Sequence, residues 1–64
     1  MKLTIVIEMD NEAFVDEGEY TGKGMHEAAR ILDVVVRKMR EEGTVPHKLR
    51  DINGNAVGTS RIDL

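Results

Sequence analysis

Residues 25–42, MHEAARILDVVVRKMREE, carry the longest regular pattern in the chain and decide its fold. Apolar side chains recur there at steps of three and four residues, which is the repeat of one face of an α-helix. Gly43 follows directly and predicts the end of the helix, because glycine readily adopts the left-handed conformation that closes helices. The predicted apolar face consists of Met25, Ala28, Leu32, Val35 and Met39, widened by Ala29, Ile31 and Val36. We therefore expect one amphipathic helix that buries this face against the rest of the protein.

The polar side of this helix predicts ion pairs. Asp33 with Arg37, and Arg37 with Glu41, have the (i, i+4) spacing that brings opposite charges together on a helix surface. Val34 lies alone among these polar residues and indicates an exposed apolar contact.

Residues 2–9, before the helix, alternate between apolar and polar side chains and are rich in β-branched types, which predicts a half-buried strand. One face carries Leu3, Ile5, Ile7 and Met9, and the other carries Lys2, Thr4, Val6 and Glu8. Residues 10–24 have no sustained period and contain three glycines, so we expect an ordered loop or a short irregular turn. Phe14 and Tyr20, the only aromatic residues, are expected to hold this loop to the body of the protein.

After the helix, Asn53-Gly54 separates two runs that could both be strands, which is a strong signal of a β-hairpin with a type I′ turn. A loop of two or four residues would place Leu49 on one face with Gly58, Ser60, Ile62 and Leu64. A loop of three residues would turn one strand over relative to the other. We favour the first arrangement because it offers the helix an apolar surface.

These elements predict an α+β fold of order β-α-β-β, in which one amphipathic helix packs on a three-stranded, largely antiparallel sheet. A chain of 64 residues has room for one domain with a modest core, and residues 1–64 are expected to form it. One helix covers only one face of the sheet. The other face, with Thr4, Val6, Val57 and Thr59, must be solvated, paired with another copy or used for binding.

Composition narrows the classes of function. The chain has no cysteine, which excludes disulfides, thiolate metal sites and cysteine nucleophiles and favours an intracellular protein. The apolar run at residues 3–7 is too short for a signal peptide or a membrane span. We expect an unprocessed protein that does not associate with membranes.

No motif indicates catalysis or a cofactor, so we expect a protein that is not an enzyme. His26 and His47 have no serine placed by sequence to form a nucleophile and base pair with either. Counting a calcium-binding loop from Asp10 places Phe14 and Thr21 at two ligand positions, so we expect no metal site. Gly22-Lys23-Gly24 lacks the spacing of a phosphate-binding loop.

The least ordinary feature is a run of six acids within residues 8–19, without one base. Residues 1–20 carry a formal charge of −5, whereas residues 21–64 carry +2. A rigid display of carboxylates can occupy basic surfaces that hold DNA, because duplex DNA presents one negative charge per ~1.7 Å of its axis. The simpler interpretation is a solubilising loop. If the run is a binding site, its residues are Glu8, Asp10, Glu12, Asp16, Glu17 and Glu19.

Two other functions remain open at this point. The open sheet face or the helix could assemble the chain with itself or with a partner, as in a structural or accessory protein, and we expect a monomer or a weak homodimer. A basic region formed by Arg30, Arg37, Lys38 and Arg40, with bases elsewhere, could bind nucleic acid. Acids interleave with these bases and no aromatic residue accompanies them, so we expect no direct nucleic-acid binding.

Three segments carry a resemblance. The opening strand with Asp10–Phe14, the helical Ala28–Leu32 and the ending Leu49–Gly58 together resemble a group of small phage and prophage proteins. Among these, the chain is most similar to the anti-CRISPR inhibitors of type I systems, with type I-C as one candidate type. The resemblance spans most of the chain, and its elements are structural.

The resemblance implies an inhibitor that acts in the cytoplasm of a bacterial host cell, binds a subunit of the type I CRISPR surveillance complex and blocks target DNA binding. The large subunit that recognises the protospacer-adjacent motif is one candidate partner. The alternative is a structural or accessory phage protein that acts as an interaction or self-assembly module. No family motif marks the six acids individually, and their choice as phosphate mimics rests on charge.

Overall fold

The structure, a computed structural model, describes all 64 residues and confirms the predicted α+β class. One helix packs against a three-stranded antiparallel sheet, and a separate two-stranded hairpin precedes the helix. The elements in chain order are β1 (Lys2–Ile7), β2 (Val15–Asp16), β3 (Glu19–Tyr20), α1 (Gly22–Glu42), β4 (Lys48–Arg50) and β5 (Ala56–Asp63).

The three-stranded sheet has the order β1-β5-β4, so the last strand of the chain lies in its centre. β1 pairs with β5 in a register that runs from Lys2 opposite Asp63 to Ile7 opposite Gly58. Ile5 and Ile7 pack against the core, as their alternation predicts, whereas Val6 is exposed. Gly58 permits this pairing, because a Cβ atom there would overlap the carbonyl group of Val6.

The connection between β4 and β5 differs from the predicted type I′ turn. Only Gly54 has a positive φ, of 86°, and the loop is closed by a 2.9 Å hydrogen bond from the Asp51 N–H to the Asn55 carbonyl. Three residues therefore lie inside the loop, which by itself would turn one strand over. A bulge in β5 compensates for this, because Arg50 pairs with Ala56 whereas Leu49 pairs with Gly58. Leu49 and Gly58 therefore share one face of the sheet, as predicted.

The bulge residue is Val57, which was expected on the open sheet face and is buried in the core instead. An extra residue in one strand changes the side of the sheet to which the following side chains point. The open face therefore keeps exposed Val6 and Thr59, with Thr4 only partly buried.

The helix begins earlier than predicted, at Gly22 rather than Met25. The Thr21 side chain caps it by accepting a hydrogen bond from the Lys23 N–H. It ends at Glu42 as predicted, where Gly43 has φ 69° and its N–H bonds to the Met39 carbonyl.

The buried face of α1 is narrower than predicted. Ala28, Ile31 and Val35 are buried, but Met25, Leu32 and Met39 are roughly half exposed. The sheet contacts only one edge of the broad apolar arc, so the other edge faces solvent. The predicted ion pairs of Arg37 with Asp33 and with Glu41 do not form; α1 instead has Arg30 paired with Glu27, and Lys38 with Glu42.

The core forms where α1 crosses the sheet and the segment after β1. Phe14 is fully buried there, as its aromatic character predicts, whereas Tyr20 is exposed. The buried apolar cluster consists of Ala13, Phe14, Ile31, Val35, Leu49 and Val57.

The segment expected to be an irregular loop contains a small hairpin. β2 and β3 pair through Val15 opposite Tyr20 and Asp16 opposite Glu19. Glu17 and Gly18 connect them with φ values of 52° and 79°. Positive φ at both central residues is what a type I′ turn requires.

Candidate functional site

The six acidic residues of the predicted binding site all lie on the surface. We call residues 8–19 the acidic segment; it begins directly after β1, continues through a turn and ends in β3. All six side chains are exposed. The predicted site is therefore accessible along its whole length.

The tip of the β2–β3 hairpin concentrates three of these acids at positions that cost stability. Asp16 and Glu19 are directly opposite each other, and like charges in that arrangement repel. Glu17 between them is the only residue other than glycine with a positive φ in the chain. A glutamate in that conformation is strained relative to asparagine or glycine. Folding alone would not select these three residues here.

The base of the hairpin is fixed to the body of the protein. Phe14, which directly precedes β2, is fully buried, and its N–H and that of Val15 both bond to the Asn11 carbonyl at 2.9 and 3.1 Å. Gly24 of α1 packs so closely that a Cβ atom would lie 2.5 Å from the Phe14 carbonyl oxygen. The hairpin therefore presents its acids from an anchored base.

Two shallow depressions divide the acidic segment into groups. Glu8 and Asp10 line an open groove of about 480 Å³ on the uncovered face of the sheet, together with Lys48. A second depression, of about 370 Å³, is lined by acids of the turn and hairpin and by one lysine. Its charged residues are Glu12, Asp16, Glu17 and Lys23.

None of the six carboxylates takes part in an ion pair. The chain contains three ion pairs, which join Glu27 to Arg30, Glu42 to Lys38 and Asp63 to Arg61. Lys23 and Lys48 line the two depressions without coming within ion-pair distance of an acid. No three His, Asp or Glu side chains form a group that could hold a metal ion. The negative charge of the segment is thus left uncompensated.

A buried carboxylate, which the sequence patterns did not single out, sets the position of the acidic segment. Asp51 is only 4% exposed, and its Oδ1 accepts hydrogen bonds of 2.9 Å from the N–H groups of Asn53 and Asn55. Its Oδ2 accepts from the side-chain amides of Asn11 and Asn55. Burial raises the pKa of the Asp51 carboxyl, but these hydrogen bonds outweigh burial and hold the pKa below its usual value.

A second buried carboxylate ties α1 to the same loop. Glu27 is 8% exposed and accepts two hydrogen bonds from Arg30, at 2.7 and 3.0 Å, and one from the Ile52 N–H at 2.7 Å. Arg30 also donates to the carbonyl of Arg50. The Arg30 hydrogen bonds lower the pKa of Glu27 despite its burial, and the pKa of Arg30 is correspondingly raised. Arg30 thus serves folding, which removes one base from the predicted basic region.

Asp51, two residues before Asn53-Gly54-Asn55, was a sequence signal for this loop, since aspartate side chains often accept hydrogen bonds from the N–H groups two residues on. His26 and His47 are both exposed and form no hydrogen bond through their side chains.

No helix combines the length and apolar character that crossing a membrane requires. The chain matches no protein-family model, no curated protein and no solved structure.

Proposed function

We propose that this chain is a non-catalytic inhibitor that binds a basic, nucleic-acid-handling protein through its acidic segment. The observation that carries the proposal is the hairpin tip, where Asp16, Glu17 and Glu19 stand at positions that like-charge repulsion and backbone strain make unfavourable. Strain of this kind concentrates at sites of function. A solubilising loop would not need these residues at these positions.

Charge and exposure support the same proposal. All six carboxylates are exposed and none is neutralised by an ion pair within the chain. A partner with a lysine and arginine surface would supply the missing counter-charges, in the place where it otherwise holds DNA phosphates.

The anchored base of the hairpin lowers the cost of binding. Ordering a mobile loop on association costs about 0.5–1.5 kcal/mol for each flexible side chain that is immobilised. Burial of Phe14 and the hydrogen bonds to the Asn11 carbonyl fix the backbone beneath the acids before any partner arrives.

The resemblance to anti-CRISPR inhibitors gives the first partner to test, a purified type I-C CRISPR surveillance complex. A gel-shift assay measures its binding to target duplex DNA with and without this protein. We expect the wild-type chain to reduce DNA binding and the double variant Asp16→Lys/Glu17→Lys to lose this effect. Inhibition should also weaken as salt rises, because exposed charges are screened.

The matched control is Glu41→Lys/Glu42→Lys, which makes the same change in net charge at the far end of α1. Both residues are exposed, and Glu42 loses only a surface ion pair with Lys38. Full inhibition by this control with loss in the hairpin variant would support the proposal. Equal inhibition by both variants would refute it, and no inhibition by the wild type would refute this choice of partner.

A further inference from the structure

The outer edge of β1 has no partner in the fold. β1 lies at the end of the three-stranded sheet and pairs, through its inner edge, with β5 alone. In an antiparallel pair, successive residues direct their backbone N–H and C=O groups to opposite edges of the strand. The Ser60 N–H bonds to the His47 carbonyl on the β4 side, so Ile5, which lies opposite Ser60, directs its backbone groups away from β5.

Leu3 and Ile7 have the same orientation as Ile5, because each is two residues away along the strand. The 2.7 Å hydrogen bond from the Glu8 N–H to the Val57 carbonyl agrees with this alternation, since it shows an even-numbered residue bonding to β5. No other strand or side chain of the chain bonds to the outward backbone groups. We call Leu3, Ile5 and Ile7 the outward residues.

The other outer edge of the sheet, that of β4, is protected. β4 has only three residues, Pro46 lies two residues before it, and Arg30 donates a 3.2 Å hydrogen bond to the Arg50 carbonyl. Short strands and proline are common means by which proteins prevent pairing at a sheet edge. β1 has six residues, with no proline and no irregularity in its register. It is therefore the edge at which another strand can be added.

We propose that the added strand is β1 of a second copy, paired antiparallel so that the two sheets become one continuous sheet in a symmetric dimer. The inference does not rest on the proposed function, and Glu8 is the only residue that it shares with the acidic segment. Two observations carry it: the register that the outward residues permit, and the charges at the ends of that register.

One antiparallel register pairs every outward residue with an outward residue of the second copy. Ile5 lies opposite Ile5 of the second copy, and Leu3 lies opposite Ile7 of that copy, twice by symmetry. Each of these facing pairs exchanges two backbone hydrogen bonds. A shift by two residues in either direction would leave one outward residue of each copy opposite a residue beyond the end of β1.

The same register brings opposite charges together. Lys2 lies opposite Glu8 of the second copy, and symmetry repeats this pair at the other end. Side chains lie closest in such pairs, which alternate with the hydrogen-bonded ones. Lys2 and Glu8 are both exposed, and neither has an ion-pair partner in its own chain. The charges thus favour the register that the backbone groups also permit.

Pairing would also cover apolar side chains that the single chain exposes. Leu3 and Val6 are each 44% exposed, although they lie on opposite faces of β1. In the dimer, Leu3 lies beside Ile7 of the second copy, and Val6 lies beside Thr4 of that copy. Both outer edges that remain belong to the protected β4, so assembly should stop at two copies.

Sedimentation equilibrium of the whole chain, from about 1 µM to about 1 mM, first measures whether a dimer forms. We expect the wild type to pass from monomer to dimer within this range. A chain that stays monomeric at about 1 mM would overturn the proposal.

Hydrogen exchange followed by NMR then tests the pairing residue by residue, at one concentration where the monomer dominates and one where the dimer does. We expect the N–H groups of Leu3, Ile5 and Ile7 to exchange at least about tenfold more slowly in the dimer. The N–H groups of Thr4 and Val6 face β5 and are internal controls, which should be protected in both samples. Equal exchange of the outward N–H groups in the two samples would overturn the proposal.

Charge exchange tests the register. Lys2→Glu should weaken dimerisation by about tenfold, because glutamate would then face glutamate at both ends of the paired strands. Adding Glu8→Lys to that variant should restore most of the affinity. The control is Lys23→Glu, which makes the same change in charge at an exposed residue of α1 without an ion pair, and it should dimerise like the wild type. Failure of Glu8→Lys to restore dimerisation, or an equal loss in the control, would rule out this register.

Discussion

The side-chain amide of Asn11 donates a 2.9 Å hydrogen bond to the carboxylate of Asp51, across 40 residues of sequence. This contact joins the turn that follows β1 to the loop between β4 and β5. Because the Asn11 carbonyl also holds the start of β2, the acidic hairpin and the final β-hairpin share one support.

Asn11→Ala should therefore destabilise the protein. The change removes the hydrogen bond that the Asn11 side-chain amide donates to Asp51 across the two loops. It also removes the 2.9 Å hydrogen bond that Asn11 Oδ1 accepts from the Ala13 N–H. We expect a loss of about 1–3 kcal/mol in the free energy of unfolding, measured by urea denaturation. Asn53→Ala is the control, since the Asn53 side chain forms no hydrogen bond and only its N–H contributes. Equal stability of the two variants would contradict this role of Asn11.

Stability should fall in acid because two carboxyls have lowered pKa values. The ordinary pKa is 4.5 for Glu27 and 3.8 for Asp51, and both groups lie below these values in the folded protein. Their contribution is fully present above the ordinary pKa values and is lost as pH falls through the folded ones. We expect the urea midpoint to be nearly constant above about pH 5 and to decline below it.

Glu27→Gln identifies the contribution of one of these groups. Glutamine does not titrate, so the variant should be less stable at neutral pH and should lose less stability on acidification than the wild type. Glu41→Gln, at an exposed carboxylate without a hydrogen bond, should follow the wild-type profile. A Glu27→Gln profile parallel to that of the wild type would show that Glu27 is not responsible for the acid sensitivity.

Gly58→Ala should be among the most harmful small substitutions in the sheet. The new methyl group would overlap the Val6 carbonyl group and separate β1 from the central strand. We expect a loss of about 1–3 kcal/mol in a thermal or urea unfolding experiment. Gly22→Ala adds the same methyl group in open space at the start of α1, and it should raise stability by up to about 1 kcal/mol. A tolerated Gly58→Ala would show that the two strands can separate at little cost.

The sequence patterns predicted the main elements because each has a strong local signal. Alternation of apolar and polar residues predicted β1, and helical spacing predicted α1. Gly43 indicated where α1 ends, and Asn53-Gly54 indicated the last hairpin. The start of α1 was missed because two glycines in its first turn resemble a loop, although Thr21 is a good capping residue. The β2–β3 hairpin was missed because two-residue strands are too short to show a period.

The buried part of each face depends on contacts that no local pattern contains. Val57 is buried only because a bulge shifts β5 by one residue, and the bulge depends on the loop that Asp51 holds. Met25 belongs to the apolar arc of α1 but stays exposed, because the sheet covers only one edge of that arc. The exposure of the acids was predictable from their charge, whereas the strained position of Glu17 required knowledge of the turn.

The loop around Asp51 also bears on how this chain would diverge during evolution. Asn11, Asp51 and Gly58 each satisfy a demand of the fold, through hydrogen bonds or through the absence of a side chain. The acids of the hairpin tip answer no such demand. Homologues should therefore retain the first group. Under the proposed function, a change of target should appear first as substitutions at Asp16, Glu17 and Glu19.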